Sequence, residues 1–409
     1  MLATHRRSVS QNYGHDVVAV SEPAFRSVDG AAGSARVIPR PWLRRTAITP
    51  RPAVVGLHPY VVQIGPGIPV SGNASFEYTR AALLSVTEVE APHELTSDEL
   101  DGQLKEVLRR LKLPKGLLQR VAGVHARRNW DHSTDFQDAA ARAGTAALEA
   151  AGVAPEKVGL LINTSVTRAT LEPSVAVRIH DVMGLPTSAT NFDITNACLG
   201  FVNGLMLASS LIDAGQIDYA VIVAGEDATK VQAATVQNLH APSTNRSNFM
   251  EQFASLTLGC GAAAAVVGNI EDHPEGHRIV RGVTRAGTDH HDLCVGDHRG
   301  MYTDSTALLE DGLELVMDAW NDVPADWGWD TVDRYITHQV SQLHTNAIAD
   351  SAGLDLAKIP VTFPVLGNVG PASLPITLYR EQHALSSGDR LLCLGVGSGL
   401  NTAMLEIHW

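Results

Sequence analysis

From residue 73 onward, short apolar runs alternate along the chain with longer segments in which apolar residues return every three or four positions. The short runs 81–89, 158–164, 219–225, 256–268, 279–284, 332–338 and 390–395 read as strands, and 390–395 is expected to be the last of them. The periodic segments predict helices over 98–111, 135–151, 173–183, 306–320, 345–353 and 371–383. Their ends carry start and stop signals. Thr96 and Glu99 form a capping-box pattern, Gly152 closes the second helix, and Pro173 lies in the first turn of the third. Residues 123–130 read as a loop with paired arginines. Strands alternating with helices imply an α/β fold whose sheets are largely parallel and covered on both faces. Val158-Gly-Leu-Leu-Ile-Asn-Thr and Val332-Asp-Arg-Tyr-Ile-Thr-His occupy equivalent places, which suggests a duplication into halves 73–250 and 251–409.

The stretch Asn191-Phe-Asp-Ile-Thr-Asn-Ala-Cys-Leu-Gly-Phe-Val-Asn-Gly204 places Cys198 between a short apolar run and an almost wholly apolar helix that Gly215 stops. Cys198 is thereby predicted at a strand-to-helix turn. The first N–H groups of a helix are unpaired and carry the positive end of its dipole, which favours a thiolate and lowers the thiol pKa. A helix apolar on every face is buried, so the thiol faces a cleft. Cysteine there is either a small buried hydrophobe or a nucleophile, and the helix start with small flanking residues favours the nucleophile.

Charge divides the chain. Residues 1–72 show no sustained periodicity and hold eight arginines against three acidic residues, a net +5; the whole chain is at −13, so the remainder carries −18. Such a segment cannot bury enough apolar surface to fold alone. It reads as a disordered tail or as the product of a start codon placed too early, and Asp16, Glu22 and Asp29 argue against a targeting peptide. The acidity of the rest disfavours nucleic acid or an anionic membrane as the main partner, and no apolar run reaches the ~18 to 20 residues that a bilayer span needs. Cys198, Cys260, Cys294 and Cys393 show no paired spacing, which disfavours disulfides and structural zinc and fits a cytoplasmic protein. Asp289-His-His-Asp292 with Cys294 has the composition of a metal cluster but not the ligand spacing, and no metal is expected.

A cysteine nucleophile needs polar partners. His338, in His338-Gln-Val-Ser-Gln-Leu-His344, follows a buried strand, and Asn368 is held between glycines in Gly367-Asn-Val-Gly370. A neutral imidazole and a carboxamide both donate hydrogen bonds to a thioester carbonyl and to the enolate derived from it. Ser398 lies between glycines, so its backbone N–H can join that of Cys198 in holding an oxyanion. Singly, each of these features is common in ordinary folds. Their combination in this order is specific.

Ala197-Cys198-Leu199-Gly200, His338-Gln339, Gly367-Asn-Val-Gly-Pro-Ala-Ser373 and Gly395-Val-Gly-Ser-Gly399 resemble the Cys-His-Asn site of the thiolase superfamily, in its ketoacyl synthase III branch. Within that branch the chain is similar to the OleA family, which joins two fatty acyl-CoA molecules head to head. The likeness runs from about residue 74 to 409, through Glu90-Ala-Pro-His-Glu-Leu-Thr-Ser97, Ala122-Gly-Val-His-Ala-Arg-Arg128, Leu160-Leu-Ile-Asn-Thr-Ser165 and Thr257-Leu-Gly-Cys-Gly-Ala262. It implies a thiolase fold, with duplicated βαβαβ halves in a five-layer αβαβα arrangement. It also implies long-chain acyl-CoA substrates, a homodimer or a heterodimer with a paralogous subunit, and no cofactor apart from the coenzyme A of the substrate.

Carried over by residue, the resemblance implies that Cys198 accepts the first acyl chain, that His338 and Asn368 bind the second thioester, and that Glu172, in Leu171-Glu-Pro-Ser174, crosses a dimer interface to remove its alpha proton. Apart from the resemblance, Glu172 is a helix-start carboxylate worth ~0.3 to 1 kcal/mol. Arg127 and Arg128 are candidates for coenzyme A phosphates and equally for a surface ion pair. The polar stretch 232–253 is expected to be a mobile loop over the acyl entrance. The expected product is a 2-alkyl-3-oxoacyl-CoA or its acid, for olefin or beta-lactone formation. The alternatives are a ketoacyl synthase III with a malonyl extender and an inert partner subunit of a heterodimer.

Overall fold

Runs that are apolar at every position bury both faces of a strand, and alternate residues then serve two different layers. The computed structural model describes residues 75–409 apart from His132 and His298; the tail expected over 1–72 lies outside them. Across the main sheet the order is Thr190–Asp193, Leu160–Asn163, Ala220–Glu226, Gly261–Asn269, Ala81–Glu90, His277–Ala286, Asn401–His408, Arg390–Gly397 and Arg334–Thr337, with Ser75–Glu77 added to His277–Ala286.

The antiparallel pair Ala81–Glu90 and His277–Ala286 is the centre of a repeat. Moving outward from it on either side, the next two pairings are antiparallel and the third is parallel. Leu160–Asn163 and Arg334–Thr337 stand at corresponding places, so the topology carries the duplication that the two sequence runs suggested. Gly261–Asn269 completes the first half, so the halves meet in the turn 270–276, later than residue 250.

The expectation of largely parallel sheets is corrected: among the described strands of the main sheet the parallel pairings are Leu160–Asn163 with its two neighbours and Arg334–Thr337 with Arg390–Gly397. Each half inserts a strand that reverses direction, and in the second half the turn 398–400 makes the reversal, too short for a helical crossover. Asn401–His408, the strand after the expected last one, is interrupted by buried Glu406, which Arg281, Arg390, His408 and Trp329 surround.

Side-chain parity builds five layers. Leu160 and Ile162 face a central cluster with Leu205 and Met206 of the helix Gly200–Asp213 and Leu374 and Ile376 of the helix Ser373–Glu381. Leu161 faces the opposite way, against the helices Phe136–Ala151 and Val175–Val182. In the second half Leu391 and Cys393 face the central cluster, while Leu392 and Leu394 meet Val316 and Ala319 of the helix Ser305–Asn321. The arrangement is αβαβα, as the resemblance implied.

Several local expectations change. The stretch 123–130 contains a strand, Ala126–Asn129, paired with His93–Thr96. Residues 232–253 are mainly helical, Thr229–Leu239 and Arg246–Glu251, because Leu239 and Phe249 are buried beside Leu100 and Val107. The strand expected from 256 begins at Gly261, after a 3-10 segment Phe253–Thr257. Pro173 precedes its helix, which starts at Val175, where the Asp193 carboxylate takes the Val175 and Ala176 N–H groups.

Candidate active site

Cys198 lies in the 3-10 turn Ala197–Leu199 that leads into the helix Gly200–Asp213. Asn196 anchors this turn from both sides, giving a hydrogen bond to Asn203 Oδ1 at 2.7 Å and accepting one from Asn401 Nδ2 at 3.2 Å. Ala197 has φ 44°, a left-handed conformation uncommon for a residue with a Cβ. Gly200 permits a close approach: a Cβ there would lie 2.9 Å from the Thr164 carbonyl oxygen and 3.1 Å from that of Ile194.

The environment of the thiol differs from the helix-start expectation. Burial pushes the Cys198 thiol up to about 12, and the neighbouring Cys294 and Glu226 add to the rise. Desolvation of the thiolate outweighs the backbone N–H that favours it. The turn expected to supply the second oxyanion N–H is close by. Gly397 packs on the cysteine turn, a Cβ there lying 3.3 Å from the Asn196 carbonyl and 3.5 Å from Ala197 Cβ, and Ser398 follows it. The Ser398 side chain hydrogen-bonds the Cys294 thiol.

His338 sits just past the carboxyl end of Arg334–Thr337 and is tied to the neighbouring strand by its N–H to the Leu394 carbonyl, 2.8 Å. Gln339 beside it is buried and takes the Thr362 N–H at 2.7 Å, which fixes the following loop. The imidazole is buried, its Nδ1 has no hydrogen-bond partner among the described residues, and burial with the nearby His344 lowers its pKa to about 3. It is therefore neutral at ordinary pH. Asn368 is set by three bonds: its N–H to the Thr257 carbonyl, 2.9 Å, its carbonyl to the Gly259 N–H, 2.9 Å, and its Oδ1 to the Gly370 N–H, 2.9 Å. With Oδ1 engaged, the amide nitrogen is the group left to donate. The cysteine turn, the Asn368 turn and His338 thus gather at the carboxyl ends of Ala220–Glu226, Arg334–Thr337 and Arg390–Gly397, the end at which open α/β sheets bind ligands.

Over 336 residues, the chain is 40% identical to the acyl-CoA:acyl-CoA alkyltransferase of Xanthomonas campestris pv. campestris, covering 81% of this chain and 99% of the relative. It belongs to the OleA family. The alkyltransferase of Shewanella oneidensis is 31% identical over 81% of this chain and all of its own length. Crystal structures of Xanthomonas campestris OleA superpose with a TM-score of 0.79 at 40% identity, and one with cerulenin bound with 0.80. The family models for the thiolase N-terminal domain and for the 3-oxoacyl-[acyl-carrier-protein] synthase III C terminal match residues 125–270 and 324–409. Like its relatives, this OleA-family chain is an acyltransferase with a thiolase fold.

Elsewhere the structure separates what the sequence had joined. Arg127 and Arg128 lie on a strand, so their side chains point opposite ways. Arg127 is fully buried, giving its hydrogens to the Leu95 carbonyl and Ser97 Oγ, with a pKa lowered by burial to about 10. Arg128 is ion-paired with Glu90 at 3.0 Å and Glu94 at 3.7 Å. Neither offers a free fork to coenzyme A phosphates; the ion-pair alternative describes Arg128. Glu172 is exposed on the segment between Leu160–Asn163 and Val175–Val182, beside Leu171, which is 94% exposed. Sequence reasoning missed Glu226 and Cys294 as neighbours of the thiol. For Glu226 a signal existed, a lone acid closing an otherwise wholly apolar strand.

Proposed function

We propose that this OleA-family chain condenses two long-chain acyl-CoA molecules head to head, without decarboxylating an extender, through an acyl-enzyme on Cys198. The observation that carries the reading is the meeting of the cysteine turn with the Asn368 and Ser398 turns, in a chain that also presents Glu172 on an exposed segment. The first acyl-CoA transfers its acyl group to Cys198 and releases coenzyme A. The carbonyl oxygen of that thioester is held by the Cys198 and Ser398 N–H groups. Neutral His338 and the Asn368 amide then donate to the thioester oxygen of the second acyl-CoA, stabilising its enolate once Glu172 of a partner subunit has removed the alpha proton. The enolate carbon attacks the acyl-enzyme, giving a 2-alkyl-3-oxoacyl-CoA and freeing the thiol. No further cofactor enters this scheme.

A dimer suits the exposed apolar residues around Glu172. Leu171, Val166, Val177 and Val182 are exposed together with the outer edge of Thr190–Asp193, the kind of patch and open edge that a partner covers. A second copy of the chain is the partner we favour over a paralogue, because Cys198 and Glu172 are both present. An open pocket of about 620 Å3 lies beside Asn196 and Leu199, walled partly by Met206 and Leu207, but Cys198, His338 and Asn368 do not line it. Among the described residues no helix is long and apolar enough to cross a membrane, and the four cysteines are unpaired, which suits a reducing compartment.

The test is incubation of the purified protein with one saturated long-chain acyl-CoA, following thiol release and products by mass spectrometry. A 2-alkyl-3-oxo product, or the ketone left after its decarboxylation, is expected. Cys198→Ala abolishes the acyl-enzyme, whereas Glu172→Ala keeps it and stops condensation. An acyl-enzyme that condenses only with a malonyl thioester, or only after a paralogue is added, would sink the reading.

A further inference from the structure

A buried carboxylate adjoins the site and has no part in the chemistry above. Glu226 ends the strand Ala220–Glu226, every residue of which is buried. A carboxylate in such a place is costly unless donors surround it, and three reach it. The Val166 N–H meets Oε1 at 2.6 Å, while the Thr167 N–H and hydroxyl meet Oε2 at 3.1 and 2.6 Å. The Thr167 oxygen in turn accepts from the Asp227 N–H at 3.0 Å, closing a ring of bonds between the segment and the strand end.

The carboxylate also lies against the asparagine turn. A Cβ at Gly370 would meet Glu226 Cδ at 3.4 Å and Oε1 at 3.7 Å, and Gly370 is the residue whose N–H orients Asn368 Oδ1. Beyond Thr167 the segment is anchored again, Arg168 bonding Asp193 at 2.9 Å and Asp193 capping the helix at Val175 and Ala176. Glu172 stands exposed between these two anchors. One buried carboxylate therefore roots the segment that presents Glu172 and backs the turn that aims Asn368.

We propose that Glu226 is a positioning residue for condensation, holding the 166–172 segment and the Asn368 turn in register without touching the reacting atoms. This rests on the head-to-head reading. The charged or titratable groups that face it are Asp227 at its own strand end and Cys198 across the cleft. The 166–167 segment and the Asn368 turn offer it N–H groups, a hydroxyl and the bare face of Gly370. Burial raises its carboxyl to about 7 against the pull of its three donors, so the ionised form that accepts both N–H groups grows in across neutral pH.

Glu226→Gln keeps the shape but replaces one carboxylate oxygen by an NH2, which leaves one of the two N–H donors facing another donor. Removing the charge also eases ionisation of the Cys198 thiol, so acylation is expected to hold or rise, while condensation falls by roughly tenfold or more, the scale of a small misplacement of reacting groups. The acid limb of condensation near pH 7 flattens, Glu226→Asp restores part of it, and amide hydrogen exchange across 164–174 quickens. Equal loss of acylation and condensation would make Glu226 merely structural and overturn the proposal, as would wild-type condensation with an unaltered pH limb. If wild-type protein forms no condensed product, the head-to-head reading fails separately. Exchange then decides alone, and unchanged exchange across 164–174 in the Gln variant overturns the positioning role.

Discussion

Replacing Gly367 by alanine tests whether the asparagine turn is as tightly determined as its geometry requires. Gly367 has φ 68° and ψ −165°, a region that residues with a Cβ avoid at a cost of about 1–3 kcal/mol. The added Cβ would also lie 2.4 Å from the Thr257 carbonyl oxygen and 3.1 Å from Arg127 Cβ. Overpacking of that kind costs about 1–3 kcal/mol more. The sum, on the order of 2–6 kcal/mol, is a large share of the roughly 5–15 kcal/mol that keeps a domain folded. Relief requires rotating the 367–368 peptide, which breaks the bond from the Asn368 N–H to the Thr257 carbonyl. The expected variant is destabilised in urea by that amount and, where it folds, acylates Cys198 but fails to condense. A urea midpoint and a condensation rate equal to those of wild type would refute the account of how Asn368 is held.

Acid should weaken the fold through its buried histidines. Burial lowers His338 to about 3 and His344 to about 4, so the stability they contribute is complete above about pH 6.5 and is lost as pH falls toward 4. Glu226, raised to about 7, acts in the opposite sense between about pH 4.5 and 7. Urea titrations at pH 7.5 and 4.5 should show a smaller loss for His344→Gln than for wild type; equal losses would contradict burial as the cause. With its thiol at about 12, Cys198 should react with iodoacetamide at pH 8 roughly a thousandfold more slowly than an ordinary thiol, its rate still climbing at pH 10. A rate plateau below pH 8 would mean that the helix start outweighs burial. Leu171→Asp should shift sedimentation toward the monomer and stop condensation while sparing acylation; an unshifted dimer would place the interface elsewhere.

Much of the fold was legible because buried strands and capped helices leave local marks. Thr96 and Glu99 do form a capping box, Asp135 and Gly152 do bracket a helix, and Cys198 does stand at a strand-to-helix turn. The order Cys198, His338, Asn368 and Ser398 named the candidate site, since each residue sits beside a strand end or among glycines that sequence can show. Pairing sense was not legible, because an inner strand is apolar whether its neighbour runs parallel or antiparallel. The strand Asn401–His408 was hidden by Glu406, whose charge is compensated by residues distant in sequence. Burial decided the rest. It turned Arg127 inward, raised the Cys198 thiol against its dipole, kept His338 neutral and brought Glu226 to the turn of Asn368. Desolvation and non-local contact depend on what packs around a group, and that is a property of the assembled layers, absent from any short window of the chain.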